Sequence, residues 1–185
     1  AIAGYFGGIV DNLLMRLADI ILILPFLILV LVIVSILEKV TITIFVTVIA
    51  LTSWPGLTRI VRGTFLSLRE QEFIVGAKAI GASDFRIIFR HLIPNALGPI
   101  VVNATLMVAS YIIAESALSF IGFGIPPKEP TWGNMLSEAQ SLRILQYHPE
   151  AWIPPGLLIF LTVLCINFIG DGLRDAFDPK INKRL

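Results

Sequence analysis

Long apolar stretches separated by short charged ones set the first reading of this chain. Four stretches reach the roughly 20 residues that an α-helix needs to cross a bilayer: residues 17–37, 40–61, 96–124 and 151–170. Leu17–Leu37 carries one charge, Asp19, near its start, and Pro25 in its first half. Val40–Leu57 is uncharged and runs up to Arg59 and Arg62, with Trp54-Pro55-Gly56 as a candidate kink. The third stretch is broken only by Glu115, and the fourth opens with Trp152. Pro154 and Pro155 would sit in that last helix's first turn, where missing amide hydrogens matter least. β-Branched clusters in the first two stretches also suit buried strands. Their length and lack of turn residues favour helices, whose backbone satisfies itself in lipid. The expected fold class is all-α, a polytopic membrane protein with four spanning helices.

Residues 62–95 have a different pattern. Phe85, Ile88, Phe89 and Leu92 fall at i, i+3, i+4 and i+7, the stripe of an amphipathic helix over Asp84–Ile93, with Arg86 and Arg90 one turn apart on another face. Ser83 suits its N-cap, Asp84 its positive end, and Pro94 is expected to close it. Upstream, Glu70–Ile80 reads as a second short helix with Phe73, Ala77 and Ile80 on one side. Gly81 between them suits a left-handed helix stop. The pair predicts a helix–Gly–helix elbow. Amphipathicity does not name its partner: the elbow either rests on lipid headgroups or docks in a groove of a cytoplasmic protein. Gly76, Ala77, Ala79, Gly81 and Ala82 allow another backbone to approach closely, which favours docking.

Charge adds an orientation. Eleven of the fourteen Lys and Arg residues fall in 58–95, after Gly170 or at Arg16, leaving Lys39, Lys128 and Arg143 for the other side. Cytoplasmic loops carry the excess of positive charge, so the elbow and the C-terminus are expected in the cytoplasm and 125–150 outside. Composition agrees with lipid as solvent: of 185 residues 56% are hydrophobic and 15% charged, against about 25% charged in an ordinary globular domain. A net charge of +1 gives no field for nucleic acid, and the lone Cys165 excludes an internal disulfide. The opening Ala1–Gly8 lacks the basic and apolar regions of a signal peptide and is expected to be the tail of an upstream element.

Little in the sequence points to catalysis. The phosphate-cradling G-x-x-x-x-G-K-[ST] loop is absent, and no Ser-His-Asp or metal-ligand cluster stands out, since His91 and His148 are expected on opposite sides of the membrane. No catalytic residue, metal or bound cofactor is expected. Glu115 is the one acidic residue deep in a predicted span, either facing a polar path, serving as a hydrogen-bond hub, or lying near the interface because that span is overlong. Asn103, Ser110 and Ser116 are further candidates for lining such a path, and equally for binding helices together. The prolines, Trp132 and Trp152 around residues 125–150 predict a structured re-entrant or interfacial piece. A secondary transporter coupled through Glu115 remains the alternative, although the halves show no internal repeat. A channel would need a filter motif, and none is present.

The elbow resembles the signature of bacterial ABC-importer permeases, E-A-A-x3-G-x9-I-x-L-P. Gly81 and Pro94 take its Gly and Pro, and Ala77 its second Ala. Val75, Gly76, His91 and Ile93 depart from it, with Glu72 three residues before Val75 as the candidate acidic replacement. The runs GYFGG-x-VDNLLMR-x-AD, LSLREQEF, GASDFRIIFRHLIPN, AESALSFIGFGIPPKEPTWGNML and GDGLRDAFDP look like the C-type permease of dipeptide, oligopeptide and nickel importers. That resemblance implies a six-helix subunit of which this chain holds four, and a heterodimeric pore in the inner membrane with a B-type permease. It also implies cytoplasmic ATPase subunits that bind ATP and Mg, and an extracytoplasmic binding protein that meets 125–150. Glu72, Ala77, Lys78, Gly81, Ala82, Ser83, Asp84, Phe85, Phe89 and Pro94 become the expected ATPase-coupling residues.

Overall fold

A computed structural model describes residues 1–37 and 40–177. Lys39 and the basic tail residues Lys180, Lys183 and Arg184, used above for orientation, lie outside the described residues, as does the end of the Gly170–Pro179 run. The described chain is helical: α1 Ile2–Phe6, α2 Gly8–Leu22, α3 Phe26–Ile36, α4 Ile42–Arg69, α5 Glu72–Ala79, α6 Asp84–Ile87, a π turn Ile88–Leu92, α7 Ile93–Phe120, α8 Trp132–Ser137, a 3-10 turn Glu138–Gln140, α9 Leu142–Tyr147 and α10 Pro149–Phe177.

Among the described residues three helical runs are long and apolar enough to cross a membrane: α4 with 28 residues, Asp84–Phe120 with 37, and α10 with 29. The count reaches four if α2 and α3 together make one broken span. That pair covers the stretch expected as a first span over residues 17–37, with a break at Pro25. Pro25 lacks the amide hydrogen and crowds the preceding turn, so the helix stops at Leu22 and restarts after Pro25, itself extended at φ −55°, ψ 130°.

Proline acts differently elsewhere. Helix α4 continues through Pro55, which is fully buried, and on to Arg69, so Arg59 and Arg62 lie within a helix and not in a loop. Pro94 does not close the elbow helix either. The Ile93 amide reaches back five residues to the Ile88 carbonyl, and the Asn95 side chain takes the His91 carbonyl at 2.7 Å. The widened turn carries the helix past the proline and into α7. Pro149, rather than Pro154 or Pro155, occupies the first turn of α10, and the other two lie further inside. At about 1.5 Å per residue the 37-residue run is about 55 Å long. That exceeds the roughly 30 Å hydrocarbon core, so one end must project beyond the hydrocarbon.

Two compact units are distinguishable. The first comprises Ala1–Ile23, Trp54–Ala104 and the stretch from Gly170. Its core gathers Tyr5, Phe65, Ile74, Ile87, Leu92 and Ala96, with Leu68 and Ile93 packed alongside. Gly4 lies so close to α4 that a Cβ there would meet the Phe65 Cβ at 2.6 Å and the Arg62 carbonyl at 2.8 Å. That contact requires glycine and lets α1 lie against α4.

The second unit comprises Leu24–Ser53 and Thr105–Ile169. Val30, Val34, Phe45, Val48 and Leu118 form its core, and Phe26 meets Tyr111 with ring centroids 5.7 Å apart. Residues 125–150 are structured here. Thr131 caps α8 through the Asn134 amide at 3.0 Å, and the Asn134 side chain donates to the Pro126 and Glu129 carbonyls at 3.1 and 2.9 Å.

Candidate functional site

The elbow is built by two local stop and start signals. Helix α5 ends at Gly81, whose φ of 81° lies in the left-handed region. There the Ala82 amide donates to the Ala77 carbonyl and the Gly81 amide to the Lys78 carbonyl, both at 3.0 Å. These are the two bonds of a Schellman helix stop. Two residues later the Ser83 hydroxyl accepts from the Arg86 amide at 3.4 Å and opens α6, with Asp84 in its first turn. Chain reversal and restart thus take four residues.

The faces of the elbow are not the ones the 3.6-residue pattern predicts. In α5 Ile74 and Ala77 point inward, while Phe73 and Ile80 are exposed. In α6 and the π turn, Ile87 and Leu92 are fully buried, five residues apart. The expected Phe85–Ile88–Phe89–Leu92 stripe is therefore split. Leu92 joins the core, Ile88 is half-buried against it, and Phe85 and Phe89 are 71% and 56% exposed. The two phenyl rings lie on each other, centroids 4.4 Å apart. Large apolar side chains stacked in the open form a knob that a partner surface can cover.

The elbow is tied to α1 by a contact between residues far apart in sequence. The buried Tyr5 hydroxyl donates to the Asp84 carboxylate at 2.5 Å, and the Lys78 ammonium lies over the Tyr5 ring, 5.2 Å from its centroid. Burial, and then the hydrogen bond and charge of Asp84, push the Tyr5 phenol up to about 12. The tie is fully present below the phenol's ordinary value near 10 and is lost only as pH rises through 12. It does not titrate in the physiological range.

Two ion pairs join α2 to α4. Asp11 holds Arg62 by two bonds of 2.5 and 2.6 Å, and Asp19 holds Arg59 at 2.6 Å. Two-point arginine–carboxylate pairing fixes geometry as well as charge.

The remaining candidates are placed as follows. Glu72 is exposed in the first turn of α5, Ala82 is half-buried, and Pro94 is exposed within the continuing helix. In α7 the side chains of Asn103 and Ser110 bond back to the Pro99 and Leu106 carbonyls at 2.8 and 3.3 Å. Ser116 is buried and bonds to the Ile112 carbonyl at 2.8 Å. The Glu115 carboxylate accepts from the Ser119 hydroxyl at 2.8 Å, and Ser119 accepts from the Ile125 amide at 3.3 Å. Through Ser119 the Glu115 carboxylate is linked to the turn after α7, and it lines a cavity of about 530 Å³ with Phe45, Tyr111, Ile112 and Trp132.

Tyr5, Asp11, Asp19, Arg59 and Arg62 were not anticipated as site residues. The one signal for them in the sequence is four charges placed inside apolar helices, where a charge needs a partner.

A family profile described as binding-protein-dependent transport system inner membrane component matches residues 1–183. The chain belongs to that family. It is a family of transport components rather than enzymes, and membership together with the long apolar helices makes this a multi-pass inner-membrane protein.

Relatives fit the same family. A peptide permease protein of Brucella suis is 47% identical over 180 residues, covering 97% of this chain and 59% of its own length. The oligopeptide transport system permease protein OppC of Bacillus subtilis is 39% identical over 183 residues, covering 99% and 59%. The glutathione transport system permease protein GsiD of Escherichia coli is 42% identical over 177 residues, covering 96% and 57%. The chain spans a little under three-fifths of the length of these relatives.

Proposed function

We propose that the chain is part of the permease subunit of an ATP-driven ABC importer that carries peptides inward across the cytoplasmic membrane. It would form half of the pore with a second, B-type permease, receive cargo from an extracytoplasmic binding protein, and take its energy from cytoplasmic ATPase subunits. The observation that carries this reading is the Phe85/Phe89 knob on a glycine-hinged elbow, in a chain whose relatives are named for peptide, oligopeptide and glutathione transport. The elbow is attached to helices α1 and α7, so force applied to the knob reaches both. The Tyr5–Asp84 bond and the Asp11–Arg62 pair would then transmit the movement as a unit with α2 and α4.

The test is uptake of a labelled peptide by proteoliposomes holding the full-length permease, its partner permease, the ATPases and the loaded binding protein. Uptake is expected to require ATP and to survive ionophores that dissipate proton and sodium gradients. Uptake driven by an imposed ion gradient without ATP would instead favour the alternative coupled through Glu115.

The orientation in this reading has its own check. Ser67 and Glu129 are both exposed. Cysteines placed there should react with a membrane-impermeant reagent from opposite sides, Ser67→Cys from the cytoplasm and Glu129→Cys from outside. Labelling of Ser67→Cys in intact cells would reverse the orientation and remove the elbow from the reach of any cytoplasmic ATPase.

A further inference from the structure

The elbow carries a second surface besides the aromatic knob. A groove of about 550 Å³ runs between α5 and α6, with Phe73 and Ile80 on one side and Arg86, Arg90 and His91 on the other. Ala77 and Ala82, with their small side chains, are among its lining residues. Among the described residues no carboxylate lines it.

The use of cations across the first unit is uneven. Arg59 and Arg62 inside α4 are each matched with an aspartate of α2. Arg86 and Arg90, one turn apart and both exposed, form no ion pair among the described residues. The nearest acidic group in sequence, Asp84, is already engaged by Tyr5. Two guanidinium groups lining a cleft that also holds apolar side chains suit a carboxylate presented by a neighbouring surface, because arginine's planar donors match both carboxylate oxygens.

We infer that this groove receives an acidic side chain of the partner ATPase, with Arg86 and Arg90 on its carboxylate, while Phe85 and Phe89 fill an adjoining apolar pocket. The inference rests on the reading of the chain as an ATPase-driven permease and adds the chemistry of the partner's surface: a carboxylate-bearing docking cleft. Val75 and Gly76, which stand where the importer signature has Glu and Ala, leave the centre of α5 without an acidic side chain. The charge that selects the ATPase is therefore the arginine pair.

The experiment uses the full-length permease with its partner permease in phosphatidylcholine nanodiscs, and the ATPase subunit encoded with them as the probe. With Arg86→Glu and Arg90→Glu together, ATPase affinity is expected to fall at least tenfold. The wild-type affinity should weaken as salt is raised from 50 to 500 mM, roughly the range over which the Debye length drops from above 10 Å to a few ångströms. Replacing a carboxylate in the ATPase docking cleft by lysine should restore binding to the charge-reversed permease. Should the reversed protein insert poorly, Arg86→Gln with Arg90→Gln is expected to give a smaller loss and a flatter salt dependence.

Undiminished binding by the charge-reversed complex, with binding lost on replacing Phe85 and Phe89 by Ala, overturns the acidic-partner inference and leaves the permease reading standing. A loss seen only when phosphatidylglycerol is present assigns the groove to anionic lipid and overturns it as well. Failure of the wild-type complex to bind the ATPase at all overturns the underlying reading.

Discussion

Gly81→Val is expected to stop transport while the subunit still inserts in the membrane. Gly81 holds φ at 81°, and both bonds that end α5, from Ala82 to Ala77 and from Gly81 to Lys78, depend on that angle. A side chain at a left-handed position costs about 1–2 kcal/mol, and β-branching makes it worse. A cost of this size shifts a two-state population by about 5- to 30-fold. The effect comes from the backbone, because a Cβ built on Gly81 meets nothing within 4 Å.

The cost falls on the elbow, outside the spanning helices. Relaxing Gly81 to a negative φ swings α6 away from α5, re-aims Phe85 and Phe89, and opens the groove between the two helices. Insertion depends on the apolar runs of α4, α7 and α10 and is untouched. ATP-driven peptide uptake by the variant should fall tenfold or more, with normal amounts of protein in the membrane fraction. Gly81→Asn is the control, since asparagine tolerates the left-handed region, and it should keep most of the activity. Wild-type uptake by Gly81→Val would show that the turn does not couple to the ATPase. Equal loss in Gly81→Asn would place the requirement on space for a docked partner and not on the backbone angle.

The parts of the elbow that could be read from the sequence are the ones set by neighbouring residues. Gly81 as a left-handed stop and Ser83 with Asp84 as a helix start need only about four residues of context, and the structure places them there. The faces could not be read, because the π turn over Ile88–Leu92 widens the helix and shifts the phase on which a 3.6-residue stripe depends. Ile87 thereby enters the core in place of Phe85.

The spans were legible as apolar length but not in their ends. Length alone hides the break at Pro25, because apolar residues run on both sides of it, with Asp19 the one charge between Leu17 and Leu37. The charges at Arg59 and Arg62 suggested the end of a span, yet the helix continues past them because aspartates 40 and 51 residues earlier in the chain pair with them. The Tyr5–Asp84 tie spans 79 residues. Pairings of that range leave no periodic trace; a charge within an apolar helix signals that a partner exists without naming it.

Replacing Phe85 and Phe89 together by alanine is expected to strip the ATPase subunits from the purified complex and leave the permease itself intact. Both rings are exposed and stacked, so their removal opens no cavity among Ile74, Ile87 and Leu92. The variant should therefore unfold at the wild-type temperature in detergent. Ile87→Ala is the contrast: loss of a fully buried isoleucine costs about 2–5 kcal/mol and should lower that temperature whether or not the ATPase is bound. If the knob fills a pocket on the ATPase, each ring contributes about 1.5–3 kcal/mol of burial, and residues of this kind dominate interfaces. At 1.4 kcal/mol per tenfold, the pair accounts for a loss of about 100-fold or more in affinity, enough to empty the complex during purification. A knob lying on lipid behaves differently: the double variant would change how firmly the elbow partitions onto vesicles and leave ATPase retention unaltered. Undiminished retention would therefore remove Phe85 and Phe89 from the docking surface and leave Ala77–Ser83, around the reversal at Gly81, as the candidate contact.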